Sequence, residues 1–269
     1  MQYYEEVIKK RHSCRGFLNK AVDDDVLYEL RKEFDSGDIR LVDGIDVELK
    51  FYKGDVWDKL KDAAGYHGFC IKAPAYLVLF SDKADHYLEN AGYIGQALTL
   101  ELTERRVAAC WQTLNDPEAV RSALYPETDK VAACVIALGY RDPQNNEKKA
   151  VKKTLAQIAS AVKFGAPINN FKMYPQLEDA LRAVTMAQSF LNKQPYNVIV
   201  DNDQVALVGL PDDVTEGDDI YLNYGIAMFN FYAVMFATRK GAAKWSFEPV
   251  TDRDLKLPAD ATYVAKVKY

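Results

Sequence analysis

A long apolar segment occurs twice in this chain, and this repeat constrains the fold more than any other feature of the sequence. Residues 90–111, NAGYIGQALTLELTERRVAACW, and residues 223–245, NYGIAMFNFYAVMFATRKGAAKW, both begin at an asparagine, have a glycine two positions later and end in A-A-x-W. Both segments have the apolar composition of a buried helix. Their matched ends and nearly equal lengths indicate an internal duplication, and the alternative is a chance likeness between two apolar helices.

The elements predicted around the two helices follow the same order, which favours duplication. Each helix is preceded by a buried strand, at 72–81 or 204–210, and is followed by a small-residue strand that ends in Tyr140 or Tyr269. The hydrophobic pattern also predicts helices at 4–8, 23–34 and 177–188 and a strand at 194–201. We therefore expect an α+β fold built from two related αβα halves in one chain.

The length and composition are consistent with two such halves and exclude several functions. A chain of 269 residues, 49% of them hydrophobic, can form two small cores, and we place the halves at 1–155 and 156–269. A net charge of −5 argues against a general nucleic-acid binder, although a local basic pocket for a small anion is compatible with it. The sequence has no long apolar run, and MQYYEEVIKK at its start is unlike a signal peptide, so we expect a cytoplasmic protein without membrane contact.

The cysteines and histidines give no sign of a metal centre. The chain has four cysteines without a C-x-x-C pair and three histidines without an H-E-x-x-H pattern, so we expect reduced thiols and no metal. Rossmann and P-loop glycine patterns are absent too. Any nucleotide must therefore be held by other residues.

The segment RHSCRGF, residues 11–17, is the first candidate binding motif. Arg11, Ser13 and Arg15 alternate along it, so in an extended conformation their side chains share a face. Two guanidinium groups and a hydroxyl on one face suit the oxygens of a phosphate. The alternative is a solvated basic patch, because arginine pairs are common on protein surfaces.

The segment AQSFLNKQPYNVIV, residues 187–200, is the second candidate. Ser189, Asn192 and Gln194 gather hydroxyl and amide groups where a predicted helix ends and a strand begins. Such a corner can bind a polar ligand. The alternative is that these groups only cap the end of the helix.

Together the two motifs resemble those of the FMN-dependent nitroreductase superfamily. The pattern R-x-S-x-R-x-F is matched at Arg11, Ser13, Arg15 and Phe17. The pattern A-P-S-x-x-N-x-Q-P-W is matched at Ala187, Ser189, Asn192, Gln194 and Pro195, with Gln188 in place of its proline and Tyr196 in place of its tryptophan. Residues 124–140, LYPETDKVAACVIALGY, are similar to the family's L-G-x-P-E segment and the strand that follows it.

The resemblance implies an FMN site shared by both halves of a fused pseudo-dimer, as in the single-chain branch of the superfamily. In two-chain relatives the two motifs lie near each other in one subunit, whereas here the first half of the chain separates them. The resemblance implies that the FMN phosphate is held by Arg11, Ser13, Arg15 and Lys148, together with the backbone of His12. The segment of Gln188, Ser189, Asn192 and Gln194 would contact the flavin ring and the ribityl chain. A backbone amide of the segment at Pro126 and Glu127 would contact flavin N5.

The implied activity is transfer of hydride from NAD(P)H through FMN to nitroaromatics, quinones or similar small electrophiles. Two other functions stay open: an FMN-binding protein with little turnover, and a flavin-free binder of a phosphorylated metabolite. No side chain stands out as a catalytic acid, so we name none. A monomer would suffice, because one chain already contains both halves.

A second FMN site in the same chain is not expected. The head of the second half, residues 159–175, lacks clustered arginines, and the corresponding corner of the first half, residues 33–49, is rich in aspartates. Carboxylates repel a phosphate dianion. The polar side chains that relatives place ahead of the strand at 72–81 are also missing; Tyr66 and His67 either replace them or, as we favour, pack inside the protein.

Overall fold

The computed structural model describes residues 4–145, 150–170, 172–215, 217–235 and 244–269. The chain forms two compact units. One unit consists of residues 10–149, and the other of residues 150–269 together with the N-terminal segment that ends at Lys9. Tyr4–Ile8 of that segment is a short π-helix in contact with the helix at 175–186 of the same unit. The fold is α+β, with one four-stranded sheet in each unit.

The unit of residues 10–149 contains an antiparallel sheet in the order β1-β2-β4-β3. Its strands are β1 Val47–Lys53, β2 Ala75–Ser81, β3 Ala108–Gln112 and β4 Val131–Gly139. Its helices are α1 Asp24–Ser36, α2 Trp57–Leu60, α3 Tyr87–Glu104 and α4 Pro117–Leu124. Every side chain of β2 is buried, which explains its continuous apolar sequence, because a central strand covered on both faces has no polar side.

The other unit contains a sheet in the order β5-β6-β7-β8, in which β5 runs parallel to β6 and the other pairs are antiparallel. Its strands are β5 Ala159–Ala161, β6 Tyr196–Val200, β7 Gln204–Gly209 and β8 Thr262–Lys268. Its helices are α5 Leu155–Ile158, α6 Pro175–Met186 and α7 Asp218–Met235. Among the described residues, no helix is both long enough and apolar enough to cross a bilayer.

The duplicated asparagines make the same contact in both units. The Asn90 Oδ1 in α3 accepts hydrogen bonds from the backbone N–H groups of Leu41 and Val42, at 2.9 and 3.2 Å. The Asn223 Oδ1 in α7 accepts one from the backbone N–H of Phe190, at 3.1 Å. In each unit the donor lies on the segment that leads into a strand, β1 or β6, that pairs antiparallel with the next strand of the chain. Aligned residues with one role support two related halves.

The duplicated tryptophans show the same correspondence. Trp111 lies against Gly95 of α3 so closely that a Cβ on this glycine would be 2.5 Å from the indole ring. Trp245 donates from Nε1 to the carbonyl of Met228 in α7, at 3.2 Å. When Asn90 is aligned with Asn223, Gly95 aligns with Met228, so each tryptophan contacts the same position of its helix.

Two strands of the first unit were not predicted. β1 begins inside residues 33–49, which we treated as a corner, and β3 contains the A-A-C-W motif that we assigned to the end of a helix. α3 ends early because Arg106 adopts a left-handed conformation with φ of 62°. The N–H groups of Arg106 and Val107 then bond to the carbonyls of Thr103 and Leu102, a Schellman end formed without glycine.

Candidate functional site

The arginine motif lies along the edge of the first unit's sheet. Ser13 forms a parallel bridge with Ala109 of β3, and the Cys14 N–H donates to the Ala109 carbonyl at 3.1 Å. Further along, Phe17 forms an antiparallel bridge with Arg141, just beyond β4. The segment is therefore held by backbone contacts at both ends, as the predicted extended conformation requires.

Arg11 is a buried cation, and no counter-charge pairs with it among the described residues. Its exposed fraction is 8%, and it makes no hydrogen bond or ion pair within the part of the chain that the structure describes. Burial lowers its pKa to about 10, which leaves it charged at neutral pH. Arg15, in contrast, is exposed, and the Nδ1 of His12 lies 3.0 Å from the Lys10 carbonyl. A buried, unpaired guanidinium is costly unless a ligand supplies the anion.

Gly16 in the motif allows a second loop to approach. A Cβ at Gly16 would be 1.7 Å from the Nδ2 of Asn145, so a larger residue would require the Asn145 side chain to move. The loop is also held by Arg141, whose Nη2 donates to the Asn145 carbonyl at 3.3 Å. Lys148, the remaining predicted phosphate ligand, lies outside the described residues.

The turn of Pro126 and Glu127 is fixed by Arg121 of α4. The Arg121 Nη1 donates to the carbonyls of Pro126 and Thr128, at 3.2 and 3.0 Å. The guanidinium is itself oriented by two contacts with the Glu118 carboxylate. The Glu127 N–H makes no hydrogen bond within the described chain, and its residue is exposed, so this donor is available to a ligand.

The S-x-x-N-x-Q-P motif forms a corner between α6 and β6 in the other unit. Leu191, Asn192 and Gln194 have positive φ angles of 43°, 60° and 48°, a conformation that side chains other than glycine rarely adopt. The Ser189 Oγ accepts a hydrogen bond from the Gln194 N–H at 2.8 Å, and its own O–H donates to no group among the described residues. Gln188, at the place of the family's proline, is buried.

Gln194 supports this corner from inside. Its side chain is fully buried, and its Oε1 accepts from the Lys153 N–H at 2.9 Å. Its Nε2 donates to the Thr185 carbonyl at 2.8 Å, with the Tyr196 hydroxyl at 3.4 Å. Burial raises the pKa of Tyr196, so this hydroxyl stays protonated. The amide of Gln194 therefore ties α6 and β6 to the segment around Lys153.

Lys152 is a functional candidate that the sequence analysis missed. Its Nζ donates to the Asn192 Oδ1 at 2.6 Å and to the Ala187 carbonyl at 2.9 Å. The Asn192 Nδ2 donates to the Val151 carbonyl at 2.7 Å. In sequence, Lys152 belongs to the charged run QNNEKKAVKK, which is typical of a solvated surface, so no pattern pointed to this contact.

Tyr66 and His67 are not packed inside the protein, contrary to our expectation. They lie on a tight turn closed by the Phe69 N–H, which donates to the Tyr66 carbonyl at 2.9 Å. The exposed fractions of Tyr66 and Phe69 are 41% and 71%. The turn requires Gly65, where a Cβ would be 2.4 Å from the backbone of Cys70.

The cysteines are all buried, and none forms a disulfide. Burial raises the pKa of Cys70 to about 11 and that of Cys134 to about 12, so both are thiols at neutral pH. Within the described ranges, no group of three or more His, Cys, Asp or Glu side chains is arranged to hold a metal ion.

Comparisons with known proteins identify the family. The model of the family described as "Putative TM nitroreductase" matches residues 4–234. A putative nitroreductase from Thermotoga maritima has a similar fold, with a TM-score of 0.61 and 16% identity over 99% of this chain and 93% of that one. An FMN-dependent nitroreductase from Clostridium difficile matches at 22% identity and a TM-score of 0.45, over 57% of this chain and 92% of that one.

A search of curated proteins finds no match. The family match, in contrast, spans most of the chain, including the arginine motif and the S-x-x-N-x-Q-P corner. The T. maritima structure extends over both units, so the shared fold is that of the whole chain. The chain therefore belongs to this nitroreductase family, and by family it is an oxidoreductase.

Proposed function

We propose that this chain is an FMN-dependent oxidoreductase that transfers hydride from NAD(P)H to nitroaromatics, quinones or similar small electrophiles. Membership of the nitroreductase family supports the reaction class. The match of both sequence motifs supports FMN as the cofactor. When bound, FMN supplies an isoalloxazine ring that takes up hydride and passes electrons on to the substrate.

The observation that carries the proposal is the buried guanidinium of Arg11, which is unpaired among the described residues. It lies in the motif that the resemblance assigns to the FMN phosphate, and it makes no hydrogen bond or ion pair within the described chain. A phosphate dianion would supply the missing negative charge and accept hydrogen bonds from the N–H groups of Arg11. The donor set at this end of the site thus fits FMN.

The other predicted residues offer hydrogen-bond donors within each unit. The Glu127 N–H has no hydrogen-bond partner among the described residues, so it can donate to a polar atom of the flavin ring, and Arg121 fixes the turn that carries it. The Ser189 hydroxyl and the second N–H of the Asn192 amide are donors on a corner fixed by hydrogen bonds. We propose that Gln194 holds this corner in place and does not itself contact the flavin, because its side-chain amide is fully buried.

The test is anaerobic titration of purified protein reconstituted with FMN. We expect a yellow protein whose flavin absorbance is lost on addition of NADH or NADPH and returns on addition of a quinone or a nitroaromatic. Comparison of the two nicotinamides gives the preferred donor. Bound flavin that neither nicotinamide reduces would favour the FMN-binding protein with little turnover. A protein that binds no FMN would overturn the proposal and favour a flavin-free binder of another phosphorylated metabolite.

A further inference from the structure

We propose that Lys152 is a positioning residue of the flavin site: it fixes the orientation of the Asn192 amide and places a positive charge beside it. The proposal rests on the proposed function, because it takes Asn192 as a flavin contact. Neither the sequence motifs nor the family resemblance assigns a role to Lys152. The inference comes from its contacts on the S-x-x-N-x-Q-P corner.

The contacts of Lys152 leave the Asn192 side chain one orientation. An ammonium group can only donate, so the atom 2.6 Å from its Nζ must be the amide oxygen. The Val151 carbonyl can only accept, so the atom 2.7 Å from it must be the amide nitrogen. One N–H of Asn192 remains after both contacts. The corner therefore offers a donor of fixed direction to an acceptor atom of the ligand.

Val151, Lys152 and Lys153 form a clamp on the corner, and we call these three residues the clamp segment. Besides the two contacts on Asn192, the Lys153 Nζ donates to the Gln194 carbonyl at 2.9 Å and the Lys153 N–H to the Gln194 Oε1 at 2.9 Å. Gln194 has a positive φ of 48°, which is unfavourable for glutamine, and Asn192 has one of 60°, a conformation that asparagine adopts more readily than most residues. The clamp segment thus contacts both left-handed residues and holds the conformation that the motif requires.

The clamp segment also places the positive charge of Lys152 beside Asn192, which we take as a flavin contact. Lys152 is partly buried, and its Nζ is bonded to two oxygens, so its position is well defined. A fixed cation stabilises negative charge on a ligand beside it. A ligand that gains negative charge on reduction is therefore bound more tightly in its reduced form than in its oxidised form. Lys152 should therefore raise the affinity for reduced FMN more than the affinity for oxidised FMN.

The experiment compares Lys152→Met with Lys152→Arg and with Lys193→Met as the matched control. Lys193 lies on the same corner, but its Nζ contacts the exposed carboxylate of Asp213 at 2.7 Å. Dissociation constants of oxidised FMN are measured by flavin fluorescence, and the midpoint potential of the bound flavin by equilibration with a reference dye. Urea unfolding of each flavin-free variant shows that it is folded.

We expect Lys152→Met to weaken the binding of oxidised FMN about tenfold and the binding of reduced FMN about a hundredfold. This tenfold difference lowers the midpoint potential of the bound flavin by about 30 mV. Lys152→Arg should restore the potential, and Lys193→Met should leave both quantities within about threefold of wild type. If Lys152→Met does not fold, Lys152→Gln takes its place, because glutamine still donates to Asn192 but carries no charge. Lys152→Gln should lower the midpoint potential and leave the affinity for oxidised FMN unchanged. A wild-type potential in the neutral variants would overturn the proposal. A wild-type protein without FMN affinity would instead overturn the proposed function.

Discussion

Replacing Arg11 with methionine should have opposite effects on the flavin-free and the flavin-bound protein. Methionine keeps most of the apolar stem of the side chain and removes its charge. In the flavin-free protein this charge is buried without a partner in the described chain, so its removal should stabilise the fold. In the flavin complex the same change removes a phosphate ligand, so FMN should bind more weakly.

The magnitude follows from the pKa of Arg11, which burial lowers from 12.5 to about 10. At 1.36 kcal/mol per pKa unit, the charged form costs the folded state about 3 kcal/mol relative to the unfolded chain. A lowered pKa of a base destabilises the fold at all pH values below it, and relief begins only above about pH 10. At pH 7 the cost is fully present. Since methionine leaves part of the site unfilled, we expect a net stabilisation of about 1–3 kcal/mol.

The assay is urea unfolding at pH 7 without FMN and with saturating FMN, together with a direct binding titration. Loss of hydrogen bonds to a charged phosphate, worth about 1.5–3 kcal/mol, should weaken FMN binding about tenfold to a hundredfold. Arg105→Met is the control, because Arg105 is paired with Glu101 on the surface and its loss should change stability by less than about 1 kcal/mol. If Arg11→Met destabilises the flavin-free protein, Arg11 has a structural partner and the reasoning is refuted.

Three further predictions follow from the geometry. Asn192→Gly, which suits the φ of 60° and removes the amide, should weaken FMN binding about tenfold; wild-type affinity would remove Asn192 from the site. Gly95→Ala should destabilise the protein by about 1–3 kcal/mol, measured by urea unfolding, because its Cβ would be 2.5 Å from Trp111. Cys70, whose pKa is raised to about 11, should resist iodoacetamide in the native protein at pH 8; peptide mass mapping that shows rapid alkylation would contradict its burial.

The fold could be predicted where one hydrophobic pattern dominates. The apolar runs of β2, β4, α3 and α7 are continuous because both faces of each element are covered. β3 could not be located, because Arg106 ends the preceding helix in a left-handed conformation that the sequence normally signals with glycine. β1, VELKFYK, has the alternation of a half-buried strand. The aspartates that precede it led us to interpret the region as a corner.

The candidate site was predictable as two motifs but not as a set of contacts. The alternation of Arg11, Ser13 and Arg15 predicted an extended segment, yet it could not show that Arg11 is buried and Arg15 exposed. The motif pairs with the edge of β3, an unpredicted strand. Lys152 was missed for a similar reason, since a lysine in a charged run contacts Asn192 only after the chain folds back by 40 residues.

The central claim, that each chain holds one FMN, is tested most directly by the ratio of flavin to polypeptide. The aligned segments near Leu41 and Phe190 contact equivalent asparagines, but the first is surrounded by aspartates and lacks the S-x-x-N pattern. Protein reconstituted with excess FMN is washed free of unbound cofactor and denatured, and the released flavin absorbance is compared with the polypeptide concentration. We predict a ratio of about 1 from one competent set of residues. A ratio near 2 would contradict the single site, and a ratio near 0 would contradict FMN as the cofactor.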